Sequence, residues 1–305
     1  MGRRVWSIVV AGLSIVSTVG VSGCGGESSV KEKDKAPMIV AHRGGTGDMP
    51  ENTLAAIDSA LRNHADAIWL SVQASADGEA VLYRPQDLSA QTDGNGPVAA
   101  KPAADLVRLN AGYAFVDGNG NHPYRDRPTP IPTLREALAA IPAPVPIFLD
   151  LKQLPPDPVV TATARTLRET GNLDRATIYS TSGDVIAAAA AQGLHVAESR
   201  DKTRQRLLDV ALRHACDRAA PRLQTWIALE QHLKVAVTEK VTLGSATTDT
   251  EAQLWDPESV RCLRSDGNAK LMAIGVATKA DYDTAKQLGL DAVLVDSPAT
   301  AQTWR

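Results

Sequence analysis

Short runs of apolar and β-branched residues alternate with helical patterns along most of the chain, and this alternation limits the possible folds more than any other feature. Eight such runs follow Ala36. The runs are MIVAH, AIWLSVQ, PIFLDLK, ATIYST, LHVAES, TWIALE, LMAIGV and AVLVDS. Strands that alternate with helices predict a parallel sheet with crossover helices. Eight strands favour a closed (β/α)8 barrel, the TIM barrel, over an open sheet with fewer strands.

Two stretches depart from this alternation. About fifty residues rich in Gly, Pro, Asn and Asp lie between the strand at Trp69 and the helix that opens at Thr133, and connections of that length are usually functional or disordered. They predict a long insertion after the second strand. The second stretch, 224–252, includes KVAVTEKVTLGS, which is compatible with an additional strand pair.

The first residues are typical of an export signal. Arg3 and Arg4 precede an apolar run, and VSGC places small residues before Cys24. VSGC also resembles the lipobox of bacterial lipoproteins, in which the cysteine is lipidated. We therefore predict a signal peptide at 1–23, a flexible polar tether at 24–35 and a folded domain at 36–305, held at a membrane of the bacterial cell envelope. An uncleaved anchor helix and a plain secretory signal are the alternatives.

Export also bears on the other two cysteines, because an oxidising compartment permits a disulfide. Cys216 and Cys262 form such a bridge or remain two separate buried thiols, and the sequence leaves both possibilities open. The composition, 44% hydrophobic and 22% charged with a net charge of -3, is that of an ordinary globular protein. It provides no electrostatic case for binding nucleic acid.

Polar residues follow several of the predicted strands. In barrels of this kind the chemistry lies at the carboxyl ends of the strands, where the loops converge on one mouth. Arg43 and Lys152 are suited to hold an oxyanion such as phosphate, and His42 is suited to protonate a leaving oxygen. The other polar residues at strand ends are Ser71, Gln73, Asp150, Ser180, Thr181, Glu198, Glu230 and Asp296.

The segment AHRGGTGDMPENT resembles the signature of the glycerophosphodiester phosphodiesterase family, an HRG close to a PENT. Further likeness follows in order, and it covers nearly all of Ala36 to Pro298. The matching segments are IWLSVQASADGEAVLYRPQDLSAQTDG, LNAGYAF, PIPTLREAL, FLDLK and GLDAVLVDSP. The resemblance implies a (β/α) barrel, phosphodiester hydrolysis and a site that includes Glu51 and Asn52. Asn52 is also a plausible cap for the first helix.

The resemblance breaks down at the metal site. Members of the family bind Ca²⁺ or Mg²⁺ through a Glu-x-Asp pair on the second strand and an acidic residue on the third. Trp69 and Ser71 occupy the places of the pair, and only Asp150 keeps a carboxylate. Hard cations prefer several charged oxygen ligands. We therefore expect no metal cofactor.

The second histidine of the family is also replaced, since Arg84 and Pro85 stand at its His-Asp step. Arginine stays protonated and does not serve as a general base, although a guanidinium could supply part of the electrostatic role of a metal. Candidate replacements within the insertion are Asp117, His122 and Asp126, with solvated loop residues as the simpler interpretation.

Three hypotheses follow. The first is a lipid-anchored family member that binds a phosphodiester or another phosphate-bearing small molecule, with hydrolysis impaired or lost. The second is an active phosphodiesterase with a rearranged site, which cleaves glycerophosphodiesters to glycerol phosphate and an alcohol. The third is a non-catalytic scaffold in the envelope. His42, Arg43 and Lys152 favour the first two hypotheses, and Trp69 favours the first and third.

Overall fold

A computed structural model describes residues 35–216, 225–265 and 269–305. The predicted signal peptide, Cys24 and the tether up to residue 34 lie outside these ranges. Seven parallel strands form one sheet, and their bounds are β1 Met38–His42, β2 Ala67–Ala74, β4 Ile147–Leu151, β5 Ala176–Tyr179, β6 Trp226–Glu230, β9 Lys270–Ile274 and β10 Ala292–Val295. Their order across the sheet is β5-β4-β2-β1-β10-β9-β6.

The segment LHVAES closes the barrel between β5 and β6. It does not form the regular strand that its composition predicts, because only one bridge, Ile178 to Val196, joins it to β5. Backbone hydrogen bonds still bind it on both sides: Ala197 N–H donates to the Ile178 carbonyl over 2.8 Å, and Glu198 N–H donates to the Trp226 carbonyl over 2.9 Å. The predicted TIM barrel is confirmed, with an irregular segment in the place of its fifth strand.

Helices cover the outside of the barrel. Their bounds are α1 Leu54–Arg62, α2 Ala103–Leu106, α3 Leu134–Ala140, α4 Pro156–Glu169, α5 Gly183–Ala191, α6 Arg200–Arg213, α7 Pro257–Leu263, α8 Lys279–Gln287 and α9 Pro298–Ala301. Thr133, Asp256 and Thr278 begin α3, α7 and α8 with reciprocal capping boxes. Within the described residues, no helix is both long and apolar enough to cross a membrane.

The predicted insertion after the second strand is present and ordered. Its start, β3 (Ala80–Leu82), pairs antiparallel with β2. The long connection that follows encloses a small apolar core of its own, which explains why a segment with little regular structure is ordered. The members of this core are Val81, Tyr83, Leu88, Val98, Ala103, Leu106, Ala111 and Ile131.

The additional strand pair also forms. β7 (Leu233–Val241) and β8 (Gly244–Ala252) make an antiparallel ribbon that leaves the barrel after β6. Most of the ribbon is exposed. At its base His232 joins Glu251 and Asp281 over 2.7 and 2.9 Å.

The interior of the barrel below the mouth is apolar. Trp69 packs against Phe148 and Tyr179, with ring centroids 5.7 and 4.7 Å apart, and Phe148 packs edge-on against Trp226 at 5.1 Å. These rings lie in one cluster with small and branched residues such as Val40 and Ala67. Near the end of α6, Cys216 and Cys262 form a disulfide with Cα atoms 5.0 Å apart.

Candidate functional site

His42, the last residue of β1, meets Asp296, which directly follows β10. Their Nδ1 and Oδ1 atoms are 2.6 Å apart. The parallel pairing of β1 with β10 creates this contact, because it sets Ala41 opposite Val295. The hydrogen bond from His42 holds the pKa of Asp296 below its usual value. The Nε2 edge of the imidazole is then the edge available to a ligand.

Arg43 and Glu51 form an ion pair within the loop that joins β1 to α1. Arg43 lies in the left-handed backbone region with φ 53°, as does Asn52 with φ 59°. A hydrogen bond of 2.8 Å from Asn52 N–H to the Arg43 carbonyl connects the two. A left-handed backbone is uncommon in residues other than glycine, and it persists where the surroundings enforce it, often at functional sites.

The expectation that Asn52 caps α1 is wrong. Thr53 is the cap, and its hydroxyl accepts a hydrogen bond from Ala56 N–H. The Asn52 side chain turns inward instead, and its Oδ1 accepts a 2.8 Å hydrogen bond from Ser71 N–H on β2. The left-handed backbone of Asn52 excludes the extended geometry of a cap and directs the amide to the sheet.

Adjacent strands bring Ser71, Asp150 and Tyr179 into one row, because Ser71 pairs with Asp150 and Asp150 pairs with Tyr179. Burial raises the pKa of Asp150, against the opposing charge of Lys152. The Lys152 ammonium lies 2.7 Å from Asp150 Oδ2. Lys152 is thus held at the end of β4, where its remaining donors can meet an anion.

Trp69 and Ser71 stand where the resemblance expects metal ligands. Trp69 is 2% exposed and is the neighbour of His42 across β1 and β2. Among the described residues, no group of three or more His, Cys, Asp or Glu side chains is arranged to hold a metal ion. The indole fills space within the barrel and brings no ligand, so the residues present do not fit a hard divalent cation.

Buried polar atoms without a hydrogen-bond partner concentrate around this mouth. Buried polar groups are normally satisfied, so a cluster of exceptions indicates a place for a ligand or for water. Donors and acceptors are both represented. The atoms at the mouth are Glu51 Oε1, Asn52 Nδ2, Trp69 Nε1, Ser71 Oγ, Asp150 Oδ1, Tyr179 OH and Glu230 Oε2.

Other predicted residues do not reach this cluster. Arg84 is exposed, and no ion pair of Arg84 occurs within the described ranges. His122 contacts the Phe115 carbonyl at 3.1 Å, and Asp117 accepts backbone hydrogen bonds from its own turn. Asp126 is exposed. The insertion instead approaches the site through mostly apolar residues, which line an open cavity of about 180 Å³ beside Thr46 and Glu51.

Several strand-end residues have structural contacts. Gln73 donates to the Tyr83 and Pro85 carbonyls, which locks the β2–β3 hairpin. Ser180 donates to the Leu151 carbonyl over 3.0 Å. Glu198 forms a buried ion pair with Arg206 on α6. These contacts serve the packing of the barrel.

The sequence did not single out Tyr179 and Arg200, which the structure places at the mouth. Arg200 Nε donates to Glu230 Oε1 over 2.9 Å, and Arg200 N–H reaches the Ser180 carbonyl at 3.3 Å. Tyr179 is 3% exposed. Its position as the last residue of a strand was the one available signal.

A larger cavity of about 570 Å³ lies at the opposite end of the barrel, beside Met38, Trp226 and Lys270. These residues stand at the amino ends of their strands. Most of the buried polar atoms without partners among the described residues lie at the other end, so we assign the chemistry to the mouth.

Residues 42–300 match the glycerophosphoryl diester phosphodiesterase family. The chain belongs to this family. It is 53% identical over 271 residues to the uncharacterized protein Rv2277c of Mycobacterium tuberculosis, covering 88% of this chain and 90% of that protein. The recognition made from the HRG and PENT segments is confirmed.

Solved structures support the same fold. The crystal structure of the glycerophosphoryl diester phosphodiesterase domain of Rv2277c has a TM-score of 0.83 at 51% identity, covering 89% of this chain and all 100% of that one. An Oleispira antarctica phosphodiesterase, solved with its product sn-glycerol-3-phosphate, has a TM-score of 0.66 at 23% identity and covers 88% of this chain and 96% of its own. At that identity the likeness shows the fold alone.

Proposed function

We propose that this family member binds a phosphodiester or another phosphate-bearing small molecule at the barrel mouth, with hydrolysis impaired or lost. The observation that carries the proposal is the convergence of His42, Arg43 and Lys152 with the cluster of unpartnered polar atoms. Each of these three side chains is held by a carboxylate, so the site is organised before a ligand arrives. Preorganised donors lose little entropy on binding.

An anion can be held here without a metal. The replacement of two family carboxylates by Trp69 and Ser71 removes two negative charges that a divalent cation would offset. Asp150 is the carboxylate that stays, and Lys152 neutralises it. Arg43 and Lys152 then supply charge-assisted hydrogen bonds to phosphate oxygens. The Oleispira enzyme, which has the same fold, binds sn-glycerol-3-phosphate.

Hydrolysis is impaired in this proposal because two contributions are missing. Arg84 stands in place of the second histidine and is exposed, and removal of acid or base help typically slows a reaction by ~10²–10⁴-fold. Loss of one electrostatic donor adds a barrier of about 3 kcal/mol. The role that remains for His42 is to donate a hydrogen bond to the bound anion.

The test is calorimetric titration of the purified chain with sn-glycerol-3-phosphate, followed by a turnover assay on a glycerophosphodiester. We expect binding that weakens in Arg43→Ala and Lys152→Ala, with turnover far below about 1 s⁻¹, the low end of typical enzymes. Addition of Ca²⁺ or Mg²⁺ is expected to change neither result. Absence of binding in the unmodified protein would contradict the proposal.

A second function, metal-independent hydrolysis, is favoured by one observation, the His42–Asp296 pair. A carboxylate that orients an imidazole at 2.6 Å is the arrangement found in general acid-base catalysis. Turnover above about 1 s⁻¹ that disappears in His42→Ala would select this function over the first.

We further propose that the chain is exported and anchored to a bacterial membrane through lipid on Cys24. The support is the order of charged start, apolar run and VSGC, followed by a polar tether. Fractionation of cells that express the full chain tests this. The wild-type chain is expected with the membranes, and Cys24→Ser is expected in the soluble fraction. A Cys24→Ser chain that sediments with membranes would refute the lipid anchor.

A further inference from the structure

The β7–β8 ribbon leaves the barrel directly after β6, and most of its length is exposed to solvent. Its tip is apolar, and Leu243 there is 98% exposed. A two-stranded ribbon is at best marginally stable by itself in water. The contacts at its base therefore decide how firmly the ribbon is held to the barrel.

Apolar contacts provide one part of this base. Leu233, the first residue of β7, is buried. Val235 and Ala252 are partly buried and pack against the same apolar cluster, which includes Leu254 and Trp255. These contacts hold the lowest residues of the ribbon, and they do not depend on the charge of any side chain.

A polar contact provides the other part. His232 Nδ1 lies 2.7 Å from Glu251 Oε1, and His232 Nε2 lies 2.9 Å from Asp281 Oδ1. Glu251 belongs to β8 and Asp281 to α8, so one imidazole joins the ribbon to the wall of the barrel. We name His232, Glu251 and Asp281 the ribbon latch.

Both ring nitrogens of His232 face a carboxylate oxygen, which makes the latch sensitive to protonation. Both nitrogens can donate only when the ring is charged, because a neutral imidazole has a single N–H. Hydrogen bonds to Asp281 and Glu251 raise the pKa of His232 above its ordinary value of 6.5. The double contact is therefore complete below pH 6.5, and it is lost as the pH rises through the higher folded-state value.

The charged groups that face His232 come from three elements: Lys234 from β7, Glu251 from β8 and Asp281 from α8. Lys234 is the partner of Glu251 across the two strands, so it offers that carboxylate a second cation on the same face of the ribbon. Other charged residues on the neighbouring elements have partners of their own, since Glu230 binds Arg200 and Lys279 binds Asp283.

The two carboxylates of the latch are not held equally. The side chain of Asp281 is 18% exposed, and its Oδ2 accepts hydrogen bonds from the backbone and hydroxyl of Thr278 at the start of α8. The side chain of Glu251 is 54% exposed and lies on the ribbon. A neutral imidazole that can donate to one carboxylate only will thus keep the fixed Asp281 and lose Glu251.

We propose that the ribbon latch is a pH-dependent contact, which fastens β8 to the barrel while His232 is protonated and releases Glu251 when His232 is neutral. The apolar base stays in place, so deprotonation loosens the ribbon without detaching it. Because β6 ends at the barrel mouth and leads into the ribbon, the loosening occurs at the rim of the mouth. The latch does not depend on the proposed function.

The first test is an NMR titration of the His232 ring in the purified full chain. The signal is assigned by its absence in His232→Gln. We expect a pKa above the ordinary value of 6.5, because two carboxylates stabilise the charged ring. A value at or below 6.5 would overturn the proposal.

The second test is amide hydrogen exchange of the full chain, compared with that of His232→Gln at the same pH. The chemical exchange rate is then nearly the same in both proteins, so the ratio of their rates in the ribbon reports its opening. At pH 6 we expect the variant to exchange about two- to tenfold faster in 233–241 and 244–252, the range for one hydrogen bond. More than one unit above the measured His232 pKa, the ratio should approach one.

Three further variants locate the effect. Glu251→Gln should loosen the ribbon at pH 6 as His232→Gln does, whereas Glu239→Gln, elsewhere on the exposed ribbon, should not. His214→Gln is the matched histidine control, because His214 Nδ1 lies 2.8 Å from Glu258 Oε2 between α6 and α7, away from the ribbon. It should leave the exchange of the ribbon unchanged.

Several results would refute the latch. One is a ratio near one at pH 6, and another is a ratio that stays the same above the His232 pKa. Equal loosening by His214→Gln would attribute the effect to a general loss of stability. If raising the pH of the wild-type chain increased opening in 279–287 of α8 and not in the ribbon, Asp281 would be the carboxylate released, and the proposed direction would be wrong.

Discussion

The two levels of the barrel interior differ in what their side chains leave unsatisfied. Below the mouth, rings such as Phe148 and Trp226 pack against each other. At the mouth, Ser71 lies two residues beyond Trp69 on β2 and Asp150 two residues beyond Phe148 on β4, and each has a buried polar atom without a partner. Tyr179, at the end of β5, belongs to both levels, because its ring packs on Trp69 while its hydroxyl has no partner. We propose that the lower level serves stability, whereas the mouth serves to bind a ligand at a cost in stability. The following predictions test this division.

The largest effect is expected from Phe148→Ala. Phe148 is 2% exposed and contacts both Trp69 and Trp226, so its removal leaves a cavity in the centre of the barrel. The free energy of unfolding is expected to fall by about 3–5 kcal/mol in urea denaturation. A loss below about 1 kcal/mol would mean that the lower level is not the stabilising core.

Lys152→Ala is expected to act mainly on binding. The ammonium supplies a charge-assisted hydrogen bond of about 1.5–3 kcal/mol, so affinity for a phosphate ester should fall roughly 10- to 100-fold. The control is Lys279→Ala, which breaks an exposed pair with Asp283 and should leave affinity unchanged. Equal losses in both variants would place the anion away from β4.

Two buried serines provide the sharpest comparison. Ser180 donates to the Leu151 carbonyl, whereas the Ser71 hydroxyl has no partner. Ser180→Ala is expected to lower the free energy of unfolding by about 1 kcal/mol, and Ser71→Ala to leave it unchanged or raise it slightly. Thermal and urea denaturation measure both variants. Equal destabilisation by the two changes would remove the distinction between satisfied and unsatisfied levels.

The smallest effect concerns the His42–Asp296 pair and pH. The pKa of Asp296 is lowered by His42. A carboxylate with a depressed folded-state pKa adds stability above its ordinary value, near 3.8, which is lost as the pH falls through the lower folded value. The stability difference between wild type and Asp296→Asn should therefore be at most about 1 kcal/mol at pH 5 and should shrink at pH 3. A difference that grows on acidification would contradict this sign.

The sequence alone predicted much of the barrel. Alternating strand and helix patterns gave the fold class, and the antiparallel ribbon was visible in KVAVTEKVTLGS. The hydrophobic period and the composition of a segment are local properties, so they can be recognised without knowing which other segments pack against it. The same reasoning missed α6, because most of its residues are polar. Its buried face includes Arg206, which pairs with Glu198.

For the candidate site too, part was predictable from the sequence and part depended on the tertiary structure. The sequence and its resemblance to family motifs suggested His42, Arg43, Asp150 and Lys152 as strand-end candidates. They also led to the expectation that Trp69 and Ser71 replace metal ligands. Only the tertiary structure decided that Asn52 turns into the sheet and that Arg84 lies at the surface. It also decided that Tyr179 and Glu230 face the mouth with free polar atoms. Residues far apart in the chain meet through strand register and barrel closure, and no local pattern encodes which buried atoms are left without a partner.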